Sequence, residues 1–438
     1  MKINTGKTLW ERAKQIIPGG NQLLSKRPER FLPDQWPTYY QKASGCEVWD
    51  LDNNHYYDFA SMGIGSCVLG YADPDVNKLV KQSIDEGNMC TLNTPDEIIL
   101  AEKIVELHPW SEMVRFTRSG GEACAVGIRI ARAASKKDLV LFSGYHGWHD
   151  WYISSNLSDE TNLDQQLLSG LHPKGVPNAL KGTSIPFYYN NIEGFNNLVK
   201  KFRNQIGVII MEPRRDNPPD VGFLEAIRKA ADELGAVLIF DEVTSGFRDT
   251  LGGIHLNLNV NPDMAIFGKA MGNGFPISAV IGKREIMDVA QDTFISSTYW
   301  TERIGFTAAL AVINKMKQLS VIEQNMKYGE MIKNGWEKAA GENNIQIHIN
   351  GLSSMPHLCF DYPNSEEVLT LYTQEMLKRG FLSSGALYMS YAYSESIIEK
   401  YLENSHKVFQ LINKAVNSGE VLNMLNGPVR NFGFQRLN

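Results

Sequence analysis

Cysteine is scarce and scattered: five thiols, Cys46, Cys67, Cys90, Cys124 and Cys359, occur in 438 residues, with no CxxC pair. An odd count at such spacings argues against a disulfide framework and a zinc site, and leaves small core residues as the expectation. Long apolar runs are lacking too. No segment approaches the ~20 residues needed to cross a bilayer, and the opening MKINTGKTLWERAKQ has none of the apolar stretch of a secretory leader. A cytoplasmic protein is expected. Nor does one charge dominate, since 43 Lys and Arg stand against 49 Asp and Glu with the signs interspersed. Such a surface offers no basic face, so neither nucleic acid nor membrane is an expected partner. His146 and His149 in HGWHD could share a helix side, but no Cys or carboxylate constellation completes a metal site. No metal is expected, and His149 reads as a hydrogen-bonded structural histidine.

With 43% hydrophobic and 21% charged residues the chain has the balance of a globular protein able to bury an extensive core. From about residue 113 to 282, short apolar runs (MVRFT, DLVLF, IGVIIM, AVLIF, MAIF, SAVIG) alternate with helical text such as GEACAVGIRIARAAS and GFLEAIRKAADELG. That alternation predicts an α/β fold with a mostly parallel sheet wrapped by helices. Ligands of such sheets bind beyond the carboxyl ends of the strands, so chemistry belongs to the residues after each run. Asn53-Asn54 in EVWDLDNNHYYDF predicts a hairpin. Beyond about residue 320, helical stretches (TLYTQEMLKRG, SESIIEKYLENSHKVFQLI) alternate with short strands such as HLCFDY. The expected division is 1–60 and 316–438 contributing to a smaller α+β domain around a large domain, 61–315.

Three features follow the runs. After MVRFT, Ser119, Gly120 and Gly121 sit at a helix N-terminus, where free N–H groups, the helix dipole and a hydroxyl make a cradle for phosphate. After AVLIF comes Asp241 in Asp241-Glu242-Val243, a carboxylate at the mouth of a buried strand. It could equally cap a turn or pair with Arg248. After MAIF comes Gly268-Lys269, an amine beside glycines that permit close approach of a ligand. Together they are the parts needed to hold pyridoxal 5'-phosphate. The lysine forms the Schiff base and must spend time neutral. The carboxylate keeps the pyridine nitrogen protonated, so that the ring accepts the electrons left at the substrate's Cα. Tyr145 and His146, in Gly144-Tyr145-His146-Gly147, would supply an aromatic face to the ring.

The ordered motifs SGGEA, GYHG, MEP (Met211 to Pro213), IFDEVTSGFR and FGKAMGNGFP resemble the class III aminotransferases of fold type I, closest to their glutamate-1-semialdehyde 2,1-aminomutase-like members. IPGGNQLLSKRP and VWDLDNNHYYDF are similar to that family's opening. The resemblance implies a large domain with a seven-stranded-type sheet, Lys269 as the Schiff-base lysine that shuttles a proton between Cα and the cofactor's C4', and Asp241 as the ring-nitrogen partner. Val243 would back the ring opposite Tyr145. Ser119, Gly120 and Gly121 would bind phosphate, and Glu212 would lie near the ring substituents. It also implies a homodimer in which Thr298, in SSTYWTER, completes the other subunit's phosphate site. The chain departs from the aminomutases in reading NQLLSKRP where they carry Ser-Pro-Val-Arg, and in running straight through GALYMSYAYSES where they carry an aromatic-glutamate-alanine-glycine element. Its YMSYAYSES and STYWTER segments are similar to aminotransferases of carbohydrate pathways. The expected activity is transfer of an amino group from a small-molecule donor to an aldehyde or ketone. The aminomutase is the alternative, and a racemase, an epimerase or a non-catalytic relative stands behind both.

Overall fold

The computed structural model describes residues 5–166, 169–214 and 216–434. Among them thirteen strands run in chain order: β1 (Tyr40–Ser44), β2 (Glu47–Asp50), β3 (His55–Phe59), β4 (Met113–Thr117), β5 (Leu139–Ser143), β6 (Ser184–Pro186), β7 (Ile206–Met211), β8 (Val237–Asp241), β9 (Met264–Phe267), β10 (Ser278–Gly282), β11 (Ile347–Asn350), β12 (His357–Phe360) and β13 (Phe381–Ser383). The chain divides into two compact units, one of residues 74–322 and the other of 1–73 with 323–438.

In the 74–322 unit, seven strands form one sheet in the order β4-β10-β9-β8-β7-β5-β6. The run β9-β8-β7-β5-β6 is parallel, while β10 pairs antiparallel with both β4 and β9. All six apolar runs are strands. The sequence reading missed β6, whose three residues are too few to show a pattern. The runs are continuously apolar because both faces of the sheet are covered, and strand parity sorts their side chains. Val140, Phe142, Val208, Ile210, Val237 and Ile239 join one cluster, with Ala123, Cys124 and Ile128 of the helix Gly120–Ser135. Leu141, Ile209, Met211, Leu238 and Phe240 join the other, with Phe195 of Ile192–Phe202 and Ile227 of Phe223–Leu234. By the same parity Asp241 falls on the face of Val237 and Ile239, toward Gly120–Ser135.

The other unit carries a four-stranded sheet, β1-β2-β3-β13, and the hairpin β11-β12. The expected hairpin is present as the antiparallel pair β2 and β3. Its turn is organised by Asp50, whose carboxylate accepts the Asp52 and Asn54 N–H groups at 2.9 and 2.8 Å, with Asn53 in the left-handed region. The core gathers Phe59, Trp336, Phe360, Tyr372, Tyr401 and Phe409. Phe59 stacks on Tyr401 at 4.2 Å, and the buried Tyr372 and Tyr401 hydroxyls satisfy one another at 2.8 Å. Three cysteines are buried as expected, whereas Cys90 is exposed and Cys359 half-buried.

Helix Val321–Asn343 contains a glycine whose replacement pits local propensity against packing. Alanine in an open helix interior is favoured over glycine by ~1 kcal/mol, yet a Cβ on Gly329 would run into the main-chain carbonyl of Ser353. Gly329→Ala is therefore expected to lower the thermal unfolding midpoint by several degrees. A higher midpoint would show that propensity prevails.

Candidate active site

Ser119, Gly120 and Gly121 follow β4, Tyr145 and His146 follow β5, Glu212 follows β7, Asp241 ends β8 with Val243 beyond it, and Lys269 follows β9. Thr298 opens a short 3-10 turn, Thr298–Thr301. All lie in the 74–322 unit.

Ser119 is the N-cap of Gly120–Ser135. Its hydroxyl accepts from the Glu122 N–H while the Glu122 carboxylate takes the Ser119 and Arg118 N–H groups at 2.9 and 3.1 Å. This capping box satisfies the neighbouring donors. The Gly120 and Gly121 N–H groups lie in the first turn, where a helix offers no internal acceptor. A Cβ on Gly120 would sit 2.9 Å from Val243 Cγ1, and one on Gly268 would sit 2.8 Å from Ser278 Oγ and 3.5 Å from the same Val243 Cγ1. One methyl thus lies against both the phosphate turn and the glycine before Lys269. The loop after β5 closes equally tightly, since a Cβ on Gly144 would fall 2.5 Å from Glu212 Oε2. The Tyr145 N–H donates to that oxygen at 3.2 Å.

Asp241 is 4% exposed. Its Oδ2 lies 2.7 Å from His146 Nδ1 and accepts the Cys124 S–H at 3.3 Å, while Oδ1 takes the Val243 N–H at 3.0 Å. The carboxylate therefore caps its own turn, one of the readings left open, but its side-chain partners come from elsewhere. His146 stands behind it in a loop, with Nε2 3.1 Å from the Ser143 carbonyl. The helical sharing of His146 and His149 does not occur. His149 is the N-cap of the single-turn helix Asp150–Ile153, stacks on Trp148, and has a buried Nδ1 without a hydrogen-bond partner among the described residues. The expectation of a hydrogen-bonded His149 is corrected at that atom.

Folding also brings Cys124, His146 and Asp241 within 4.8 Å of one another, a trio that sequence spacing did not show. It is spoken for as a hydrogen-bond cluster. Burial, then the charge of Asp241, push the Cys124 thiol well above its usual pKa, and the protonated thiol acts as a donor to the carboxylate. The only sequence signal for Cys124 is its place four residues, one helical turn, after Gly120.

Lys269 has a φ of 42°, a left-handed conformation that costs a non-glycine residue about 1 kcal/mol or more and persists where the surroundings impose it. Its Nζ donates to Thr244 Oγ1 at 2.9 Å. Because Asp241 pairs in register with Ile266, Lys269 and Asp241 emerge from the same end of adjacent strands. Thr244 was not singled out from the sequence, where a hydroxyl in a turn carries no signal of its own.

The 3-10 turn of Thr298 lies nearer the phosphate turn than chain separation suggests. Arg118, next to Ser119, donates to the carbonyls of Trp300 and Glu302 at 2.9 and 2.7 Å and pairs with the Glu302 carboxylate at 3.0 Å. Thr298 itself is exposed, as are Tyr299 at 70% and Phe294 at 87%.

A seven-stranded, mostly parallel sheet with a helix-opening glycine turn, a buried carboxylate and a lysine at its strand ends is the architecture of fold type I, and the sequence places the chain among the pyridoxal-phosphate-dependent transferases of that fold. The sequence model of the family Aminotransferase class-III matches residues 33–407, and the chain belongs to that family. It is 31% identical over 368 residues to the 3-aminobutyryl-CoA aminotransferase of Cloacimonas acidaminovorans, covering 82% of this chain and 84% of that relative. It is also 31% identical over 426 residues to the glutamate-1-semialdehyde 2,1-aminomutase of Ignicoccus hospitalis, covering 92% and 98%. Among solved structures, the FumI protein of Sphingopyxis sp. MTA144, in its PLP internal aldimine form, superposes with a TM-score of 0.85 at 23% identity over 94% of this chain and 97% of its own. An omega-transaminase from Sphaerobacter thermophilus does so with 0.83 at 24% over 93% and 98%. At these identities the likeness establishes the fold.

Pyridoxal 5'-phosphate is the cofactor of this enzyme. The residues present fit it: a Cβ on Gly120 would press on Val243 at 2.9 Å and one on Gly121 would crowd the His149 ring at 3.3 Å, the helix start offers N–H groups to an anion, and a buried carboxylate and an amine stand beyond. No helix among the described residues is long and apolar enough to cross a membrane.

Beside Asp241, the strand pleat turns Glu242 the other way, into a buried network. Glu242 accepts from the Ile254 and His255 N–H groups, from Ser245 Oγ and from His255 Nδ1. His255 Nε2 in turn accepts from Trp110 Nε1 at 2.8 Å. His108 stacks on His255 at 5.7 Å; its Nε2 accepts the Gly253 N–H at 2.9 Å, so its Nδ1–H donates to the Ile104 carbonyl at 2.8 Å. Burial is the main cause that lowers the His108 pKa from 6.5 to about 4, with His255 lowering it further and Glu242 opposing. The unfolded chain then takes up a proton that the folded chain refuses. The stability this group contributes is complete above about pH 6.5 and declines down to about pH 4, by roughly 3 kcal/mol in all. Urea unfolding across that window should show this decline in the wild type and a shallower one in His108→Asn. Parallel pH profiles would remove His108 as its source.

Proposed function

We propose that the chain is an aminotransferase that takes an amino group from a small-molecule donor and gives it to an aldehyde or ketone acceptor. The observation that carries this reading is Lys269, held in a left-handed conformation with Nζ 2.9 Å from Thr244 Oγ1, at the same sheet end as the buried Asp241. Bound pyridoxal phosphate supplies an electron sink for the pair left at the substrate's Cα when its proton departs. Lys269 Nζ removes that proton, and Thr244 Oγ1 orients the amine. Asp241, held by His146 and Cys124, keeps the cofactor's ring nitrogen protonated. Ser119, Gly120 and Gly121 hold the phosphate. Val243 and Tyr145 would confine the ring between them, and Glu212, anchored on the Tyr145 N–H, would face its substituents. The 74–322 unit is the cofactor-binding domain in this reading, and the unit built from both chain ends is the smaller domain. Five free cysteines suit the reducing cytoplasm.

The aminomutase remains the second reading, because curated relatives of that name match over nearly the whole chain. A true transferase releases a keto acid from a separate donor, whereas an aminomutase keeps one carbon skeleton throughout. Borohydride reduction of the holoenzyme followed by peptide mass analysis is expected to place the pyridoxyl group on Lys269. An amino-donor screen should then bleach the cofactor's visible band with stoichiometric keto acid. Label on another lysine would displace Lys269 from its role, and isomerisation without keto acid would select the aminomutase.

We further propose a homodimer in which the exposed Thr298 reaches the partner's phosphate site. Its support is the anchoring of Trp300 and Glu302 on Arg118 beside an exposed stretch containing Phe294, Thr298 and Tyr299. Thr298→Val should weaken cofactor retention about ten- to hundredfold, the size of a hydrogen bond to a charged group. Mixed dimers of Lys269→Ala and Thr298→Val subunits should hold both lesions in one pocket and leave the other intact. One lesion per pocket, or an active monomer, would refute the shared site.

A further inference from the structure

One helix face reaches both residues that flank Glu242. Gly120 and Cys124 are one turn apart on Gly120–Ser135, hence on the same side of the helix. Gly120 lies against Val243 Cγ1, and Cys124 lies against Asp241, its Sγ 3.3 Å from Oδ2. The cysteine is 1% and the aspartate 4% exposed, so water does not compete for the contact. The thiol is the donor, since it keeps its proton under the burial and neighbouring charge described above. His146 meets the same oxygen at 2.7 Å, while Oδ1 takes the Val243 N–H. The two oxygens are thereby distinguished, with two side chains on Oδ2 and one main-chain donor on Oδ1.

We propose that Cys124 is a positioning residue for the cofactor's ring nitrogen: its S–H ties the Asp241 carboxylate to the helix that bears the phosphate turn. The two ends of the cofactor are then referenced to one rigid element. The thiol is a weak donor, so it orients the carboxylate and tempers its basicity without neutralising it. This rests on the reading of Asp241 as the ring-nitrogen partner, and the test separates the two.

Holoenzyme is reconstituted with pyridoxal phosphate carrying nitrogen-15 in the ring, and the ring resonance is compared in wild type, Cys124→Ala, Cys124→Ser and Asp241→Asn. The S–H stretching band is recorded in wild type and Asp241→Asn. Removing the donor makes the carboxylate a stronger proton acceptor, so in Cys124→Ala the resonance should move from the protonated-pyridine end toward the neutral one. Cys124→Ser, which keeps a donor on a shorter bond and guards against a packing effect of the alanine, should fall between. The S–H band should shift to that of a weaker hydrogen bond in Asp241→Asn. A resonance that moves in Asp241→Asn but in neither Cys124 variant would overturn the positioning role while leaving Asp241 in place. A resonance unmoved in Asp241→Asn would overturn the ring-nitrogen reading and the proposal with it. An S–H band indifferent to Asp241→Asn would overturn the contact itself.

Discussion

A carboxylate buried at the end of a central strand has to be supplied with donors, because leaving an ionised group unpaired away from water costs several kcal/mol. For Asp241 the supply comes from three directions: Cys124 on the covering helix, His146 on the loop after β5, and the N–H of Val243 in its own turn. Satisfying this one side chain fixes the helix that begins with the phosphate turn, the loop that carries Tyr145, and the turn whose valine touches the glycine before Lys269. Much of the geometry around Lys269 descends from that requirement.

The neighbouring Glu242 shows the same constraint met differently. The pleat sends it to the opposite side of β8, where main-chain N–H groups, a hydroxyl and His255 surround it. That network lies away from the cofactor side and holds the 253–255 turn and the end of Pro95–Leu107 through His108. Two adjacent acids are thus buried on opposite faces of β8, Asp241 held by Cys124 and His146 and Glu242 bracing the strand end behind it. The backbone of Lys269 draws on this rigidity, since an αL lysine is maintained only where its neighbours leave no lower-energy alternative.

The phosphate turn is braced in the same manner. Glu122 closes the capping box around Ser119, and Arg118 holds the carbonyls of Trp300 and Glu302. The Glu302 carboxylate in turn caps the helix Arg303–Gln318 by accepting the Ile304 and Gly305 N–H groups. Pairing, capping and packing are shared among few residues, so the glycines there can stay bare for an anion.

What the sequence determined by itself is what repeats at short range or sits at a fixed offset. Apolar runs marked the sheet because both of its faces are buried, and glycine after β4, aspartate at the end of β8 and lysine after β9 were legible as candidates because open α/β sheets present their strand ends to ligands. The Asp50 hairpin and the long helices near the C-terminus were legible for the same reason. Only the tertiary structure decided that Cys124 donates to a carboxylate 117 positions away, that Thr244 receives the amine of Lys269, that Arg118 grips the turn after Thr298, and that His149 Nδ1 has no partner among the described residues. The three-residue β6 and the antiparallel direction of β10 also escaped the pattern. Those contacts join side chains remote along the chain, and whether a thiol or hydroxyl meets its partner depends on distances of a few tenths of an ångström set by packing, which periodicity does not encode.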